Sequence, residues 1–170
     1  YWNILISRFA IDSEERKNLM IAGVISDTHG RISRQALEAL KESDVIIHAG
    51  DIGSPEVVKS LEKIAPVYPV RGNTDIGFWA RSLPMTQLVE IGGKSFFVLH
   101  NLVTLNIDPI STGIDVVIYG HTHVPSEERR GGVLYFNPGS AGPRRFRLPV
   151  CLGRINITDA ELTVEWVDLE

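Results

Sequence analysis

The sequence predicts an α/β fold: two packed mixed β-sheets flanked by helices, a four-layer α-β-β-α sandwich. Three observations carry this. From residue 20 to about residue 70, short apolar runs alternate with segments of helical period, the β-α-β-α-β order of a parallel sheet. After residue 85 the apolar runs come in pairs around Gly92-Gly93 and Gly131-Gly132, which read as hairpin turns and imply antiparallel or mixed pairing. With 170 residues, 44% of them hydrophobic, the chain is long enough for one domain with a substantial core.

The elements follow in order. Residues 21–25 are an apolar run that stops at Ser26-Asp27-Thr28-His29-Gly30, as a buried strand does at its carboxyl end. Ser33 caps a helix running to about residue 42, with Ile32, Ala36, Leu37 and Leu40 on one face. A strand over 44–49 ends at Gly50-Asp51. Ser54-Pro55 is the N-cap and first position of a second helix, with Val57, Val58, Leu61 and Ile64 along one side and Pro66 preventing its continuation. A third strand, 66–70, ends at Arg71-Gly72-Asn73. Strands over 85–91 and 94–99 form the first hairpin, and the second arm stops at His100. A loop or short helix near 106–112 leads to a strand over 115–119, which ends in Gly120-His121-Thr122-His123. Pairs over 127–130 and 133–136, then 150–157 and 162–167, complete the pattern.

Composition excludes several classes. A net charge of −4 argues against general affinity for nucleic acid, which needs a basic face. Cys151 is the single cysteine, so no internal disulfide forms and thiolate-rich metal sites are excluded. No apolar run approaches a membrane span, and a cytoplasmic protein is expected. Residues 1–19 read as an N-terminal extension without chemistry, and residues 20–170 as the functional domain.

Five successive strand ends carry groups that bind metals: Asp27 and His29, Asp51, Asn73, His100, then His121 and His123. Ligands and catalytic groups of open α/β sheets gather beyond the carboxyl ends of strands. In an extended segment, residues two apart project to one side, about 7 Å apart at the backbone, so Asp27 and His29 can converge on one ion. His48, inside a strand, reads as a hydrogen-bonded core residue. Arg31 and Arg71 adjoin ligand loops and are candidate substrate contacts, with solvated loop arginines as the plain alternative. Arg144-Arg145-Phe146-Arg147 reads as a solvated edge before it reads as a binding surface. Phe78 and Trp79 are open between pocket wall and core.

The ordered set Asp27-x-His29, Gly50-Asp51, Gly72-Asn73, His100 and Gly120-His121-Thr122-His123, followed by Asn137-Pro138-Gly139-Ser140, resembles the calcineurin-like metallophosphoesterases. Among them it is most similar to the small, cap-less YfcE-type phosphodiesterases. Asn101 departs from the glycine common after the mid-chain histidine. The resemblance implies two divalent ions, Mn²⁺ favoured, with Ni²⁺, Fe²⁺, Co²⁺ or Zn²⁺ as alternatives. Asp27, His29, Asp51 and His123 would hold the first ion, and Asp51, Asn73, His100 and His121 the second, with Asp51 bridging. Asp51, Asn73, Asp75 and His121 would carry the catalysis. Thr74 stands where related phosphatases have a proton-donating His, so Asp75, ionised beside two cations, is expected to orient a neighbouring ligand. The activity implied is hydrolysis of small phosphodiesters by activated water, with no membrane partner, no strong nucleic-acid binding, and a homo-oligomer left open. The alternative is a non-catalytic scaffold of the same fold, like the retromer subunit. A nuclease is disfavoured by the acidic balance.

Overall fold

The fold is given by a computed structural model that describes residues 19–170. The expected extension, Leu19 apart, lies outside the described residues. Two five-stranded sheets face each other, and both are mixed. The first has β1 (Met20–Ile25) at its centre, with β2 (Val45–His48) and β3 (Val67–Pro69) parallel to it on one side. On the other side β9 (Cys151–Ile157) and β10 (Leu162–Asp168) pair antiparallel. The second sheet runs β4 (Thr86–Ile91), β5 (Lys94–Leu99), β6 (Val116–Ile118), β8 (Val133–Asn137), β7 (Ser126–Arg130), with β5, β6 and β8 parallel.

Strand alternation sorts side chains into layers. Ala22, Val24, Val45, Ile47, Ile155 and Ile157 meet Phe96, Val98, Val116, Ile118, Leu134 and Phe136 between the sheets. The opposite face of the first sheet, with Ile25, Ile46 and Leu152, is covered by α1 (Arg34–Ala39) and α2 (Pro55–Leu61) through Ala36, Val57 and Leu61. Their starts are the expected ones: Ser33 Oγ accepts from the Ala36 N–H, and Ser54 Oγ accepts from the Glu56 N–H, with Pro55 next to the cap. Strands buried on both faces need apolar residues at every position, which is why these strands read as unbroken apolar runs.

The sandwich expected from the sequence is therefore the one observed. Its outer layer over the second sheet is thin. Val117, Val133 and Tyr135 are covered there by Leu102, Leu105 and Ile107, from a single 3-10 turn (Leu102–Thr104) and the loop after it. Pro109 and Gly113 keep that segment from becoming a longer helix. Cys151 lies inside, its S–H donating to the Pro138 carbonyl at 3.2 Å, and burial with Asp168 nearby pushes the thiol up to about 11. No helix among the described residues is long and apolar enough to cross a membrane.

Phe136 is fully buried, its ring 5.2 Å from that of Trp166. Cutting it to Ala should cost about 3–5 kcal/mol of stability by leaving a cavity between the sheets, measured as a shift in the urea unfolding midpoint.

Candidate metal centre

The parallel strands of both sheets point their carboxyl ends to one edge of the sandwich, and the loops that leave them turn sharply. Among the described residues, six non-glycine positions have positive φ, and five are expected ligands: Asp27 at 54°, His29 at 47°, Asp51 at 52°, His121 at 71° and His123 at 60°. Each such bend costs roughly 1–3 kcal/mol, and such strain persists only where the surroundings impose it.

Those surroundings centre on Asp27, which is fully buried. Its N–H donates to the Gly50 carbonyl at 3.0 Å, and its own carbonyl accepts from the Ser140 hydroxyl at 3.1 Å. Oδ2 accepts from Ser26 Oγ at 2.7 Å and from the His121 N–H at 3.1 Å. Two glycines make room for this close approach. A Cβ on Gly120 would strike Ser26 Oγ and Asp27 Oδ2, and one on Gly72 would strike the Asp51 backbone and carboxylate. Asn137, at the end of β8, donates to the Gly120 carbonyl and Thr122 Oγ1 at 3.0 Å each, fixing the loop that carries both histidines.

The donor atoms gather in two adjoining groups. In the first, His123 Nε2 stands 3.2 Å from Asp27 Oδ1 and 3.3 Å from His29 Nε2. In the second, Asn73 Oδ1 stands 3.0 Å from both His100 Nε2 and His121 Nδ1, and His100 Nε2 is 3.5 Å from Asp51 Oδ1. Asp27, Asp51 and His100 also bring donor atoms within 4.8 Å of one another, so the groups touch. All seven expected ligands thus lie at one place.

The residues fit a divalent cation. Donor atoms about 2.1 Å from a common ion, at tetrahedral or octahedral angles, lie roughly 3.0–3.4 Å apart, and the contacts here run from 3.0 to 3.5 Å. Asp27 Oδ1 is buried yet receives no aligned hydrogen bond, which is costly for an anionic oxygen unless a cation satisfies it. His100 Nδ1–H donates to the Ala49 carbonyl at 2.7 Å, which turns its Nε2 lone pair toward the cluster. Burial raises the Asp51 carboxyl, but hydrogen bonding to His100 and to the Thr74 N–H outweighs this and holds it well below the usual carboxylate range. For Asp27 burial is likewise outweighed, by His123 and Ser26, and the carboxyl sits below its ordinary value. Oxygen and imidazole donors without thiolate suit first-row divalent ions.

The remaining expectations divide. Asp75 is buried, and both its oxygens are taken: Oδ1 by the Gly53 N–H at 2.7 Å and Oδ2 by the Gly72 N–H at 2.8 Å. It ties the Asp51 loop to the Asn73 loop and so positions ligands. His48 is fully buried, its Nε2–H donating to Thr28 Oγ1 at 2.9 Å while that hydroxyl donates to the Ile52 carbonyl, and burial lowers it to about 4. Asn101 has extended backbone, φ −112°, and its side chain accepts from the Val103 N–H, so no glycine is needed there. Arg31 is exposed, and Arg71 lies on the Met85 sulfur, lining a cleft of about 340 Å³ beside Asn73. Trp79 packs against the helix-side core while Phe78 is 88% exposed. Sequence reasoning gives no site role to Ser26, Thr28 or Ser140, and it reads Arg145 within a basic run as a solvated edge before a binding surface, whereas Arg145 reaches His29. Small hydroxyl residues flanking Asp27 were the signal for the first two.

Residues 20–160 match the family model of the calcineurin-like phosphoesterase superfamily domain. The chain belongs to that superfamily. A probable metallophosphoesterase from Methanothermobacter thermautotrophicus is 35% identical over 133 residues, covering 71% of this chain and 77% of that protein. The phosphodiesterase YfcE of Escherichia coli K12 is 30% identical over 161 residues, covering 77% and 84%. The solved structure of an archaeal phosphodiesterase superposes with a TM-score of 0.73 at 29% identity, covering 87% of this chain and all of the other. Vacuolar protein sorting 29 from Cryptosporidium parvum gives a TM-score of 0.72 at 19% identity, covering 88% of this chain and 97% of that one, a likeness of fold alone. This superfamily member is thus a phosphoesterase-type hydrolase fold with an Asp/His cluster suited to divalent metal.

Asp75→Asn offers one carbonyl acceptor where two oxygens now serve. It should weaken Mn²⁺ binding about 10–100-fold although residue 75 is no ligand, read by calorimetric titration, with far-UV circular dichroism unchanged.

Proposed function

We propose that this protein is a metal-dependent phosphodiesterase that holds two divalent ions and hydrolyses small phosphodiesters. The observation that carries the reading is the cost accepted at the ligand loops. Five ligand residues sit in left-handed bends, and a buried carboxylate oxygen, Asp27 Oδ1, receives no aligned hydrogen bond. A scaffold that binds no metal has no use for either.

Asp27, His29 and His123 would hold one ion, Asn73, His100 and His121 the other, with Asp51 between them. Manganese is the favoured occupant, a choice that rests on the family likeness. When bound, the two ions supply Lewis acidity, lowering the pKa of water for in-line attack on phosphorus and offsetting charge on the phosphoryl oxygens. The chain's own part is orientation. The Ala49 carbonyl fixes the His100 ring, the Thr74 N–H fixes Asp51, and Asp75 holds two ligand loops in register. Asn73 ligates without adding negative charge, which keeps the centre cationic toward an anionic substrate.

Among the described residues, protonation of the departing oxygen has no evident donor. Thr74 is not an acid, both Asp75 oxygens accept backbone N–H groups, and His48 is enclosed under Thr28. A positioned acid typically contributes 10²–10⁴-fold, so turnover should depend on a good leaving group. Small soluble diesters in the cytoplasm are the substrates this reading favours, and among the described residues no long segment forms a lid over the centre.

Two experiments test the proposal. Metal content and turnover of bis(p-nitrophenyl) phosphate should fall together in Asp51→Asn, and further than in His100→Ala, because Asp51 serves both ions. Full activity after chelation, or in Asp51→Asn, would sink the dinuclear reading. A series of aryl and alkyl diesters at fixed pH should give a steep negative slope of log kcat/KM against leaving-group pKa. A flat plot would mean that an acid is at work.

A further inference from the structure

The sixth non-glycine residue with positive φ is Phe146, at 54°, in the segment between β8 and β9. For a bulky side chain this conformation is a real outlier. The bend falls within the run Arg144-Arg145-Phe146-Arg147, and the three arginines keep different company. Arg144 is ion-paired with Glu170. Arg147 is exposed and has no side-chain partner among the described residues. Arg145 crosses to the metal centre, where its Nη2 donates to His29 Nε2 at 3.1 Å.

As a resting arrangement that contact is poor. His29 Nε2 also faces His123 Nε2 at 3.3 Å, within the cluster that suits a divalent cation. When a cation occupies it, the His29 lone pair is committed and the guanidinium faces positive charge with no acceptor. No carboxylate among the described residues pairs with Arg145 to offset this. An anion between guanidinium and cation resolves both conflicts, and the planar fork of arginine matches two oxygens of one phosphoryl group.

We propose that Arg145 grips the phosphoryl group of the substrate on the His29 side of the centre, held over it by the left-handed bend at Phe146. The proposal rests on the phosphodiesterase reading and adds the residue that reads the anion. Arg144 and Arg147 have no such part, so the run acts through one of its three cations.

The test compares the Mn²⁺-loaded wild type with Arg145→Ala, Arg145→Lys and Arg147→Ala, the last removing the same charge from the same loop. Three quantities are read: metal content by elemental analysis, orthophosphate affinity by calorimetry, and kinetics on bis(p-nitrophenyl) phosphate. Arg145→Ala should keep its metal, bind orthophosphate about tenfold more weakly and lose kcat/KM at least as far. Millimolar guanidinium should restore part of both losses, Arg145→Lys should fall between, and Arg147→Ala should behave as wild type. Equal orthophosphate affinity in Arg145→Ala and Arg147→Ala would overturn the proposal, as would loss of metal from Arg145→Ala, which would make the arginine a support for His29. A wild type that turns over no diester yet binds orthophosphate through Arg145 would uphold this site and reject the phosphodiesterase reading instead.

Discussion

The two sheets are joined at their functional edge through Asp27. One buried residue receives or gives hydrogen bonds to the loop after β2, the loop after β6 and the turn after β8. The first of these loops belongs to one sheet, and the other two leave the second sheet. A carboxylate at such a junction is an unstable choice unless its charge is answered. Here donors answer one oxygen and leave the other directed at His123. The mutual position of the sheets and the position of the donor atoms are therefore set by the same few bonds.

From that junction the strained loops become intelligible. A strand that ends beneath a neighbouring sheet must turn within one or two residues to return to its helix. Left-handed bends at Asp27, His29 and Asp51 do this for the first sheet, and those at His121 and His123 do it for the second. The extended Asp27–His29 segment expected from the sequence is replaced by two such bends, so convergence comes from the turns that carry the ligands rather than from strand alternation. Asp75 shows the same economy, since one carboxylate bonds Gly53 and Gly72 and keeps two separate loops at a fixed spacing. The consequence is a cluster organised by backbone, with little freedom left to the side chains.

Much of this was legible in the sequence, because buried strands announce themselves as apolar runs and their ends as Gly, Asp, Asn or His. Both helix starts could be read from Ser33 and from Ser54-Pro55, since capping is local chemistry. Pairing partners were less accessible. Alternation in β9 and β10 marked two strands, but nothing local says that they return to the first sheet. The positive φ angles are imposed by tertiary contacts and leave no mark on Asp27 or His121 as letters. Arg145 was the least legible of all, because it differs from Arg144 and Arg147 only in what the fold brings near it.

The buried Cys151 has a practical side. It is the chain's single cysteine, its sulfur is enclosed against Pro138, and its thiol is held protonated far above neutral pH. Thiol reagents act on the thiolate, so the native protein is nearly blank to them. A cysteine introduced on the surface would carry a fluorophore or spin label alone, with no need to delete a native residue first. Placed at the exposed Arg147 of the basic loop, such a label would sit two residues from the arginine that reaches His29 and could report ligand binding there.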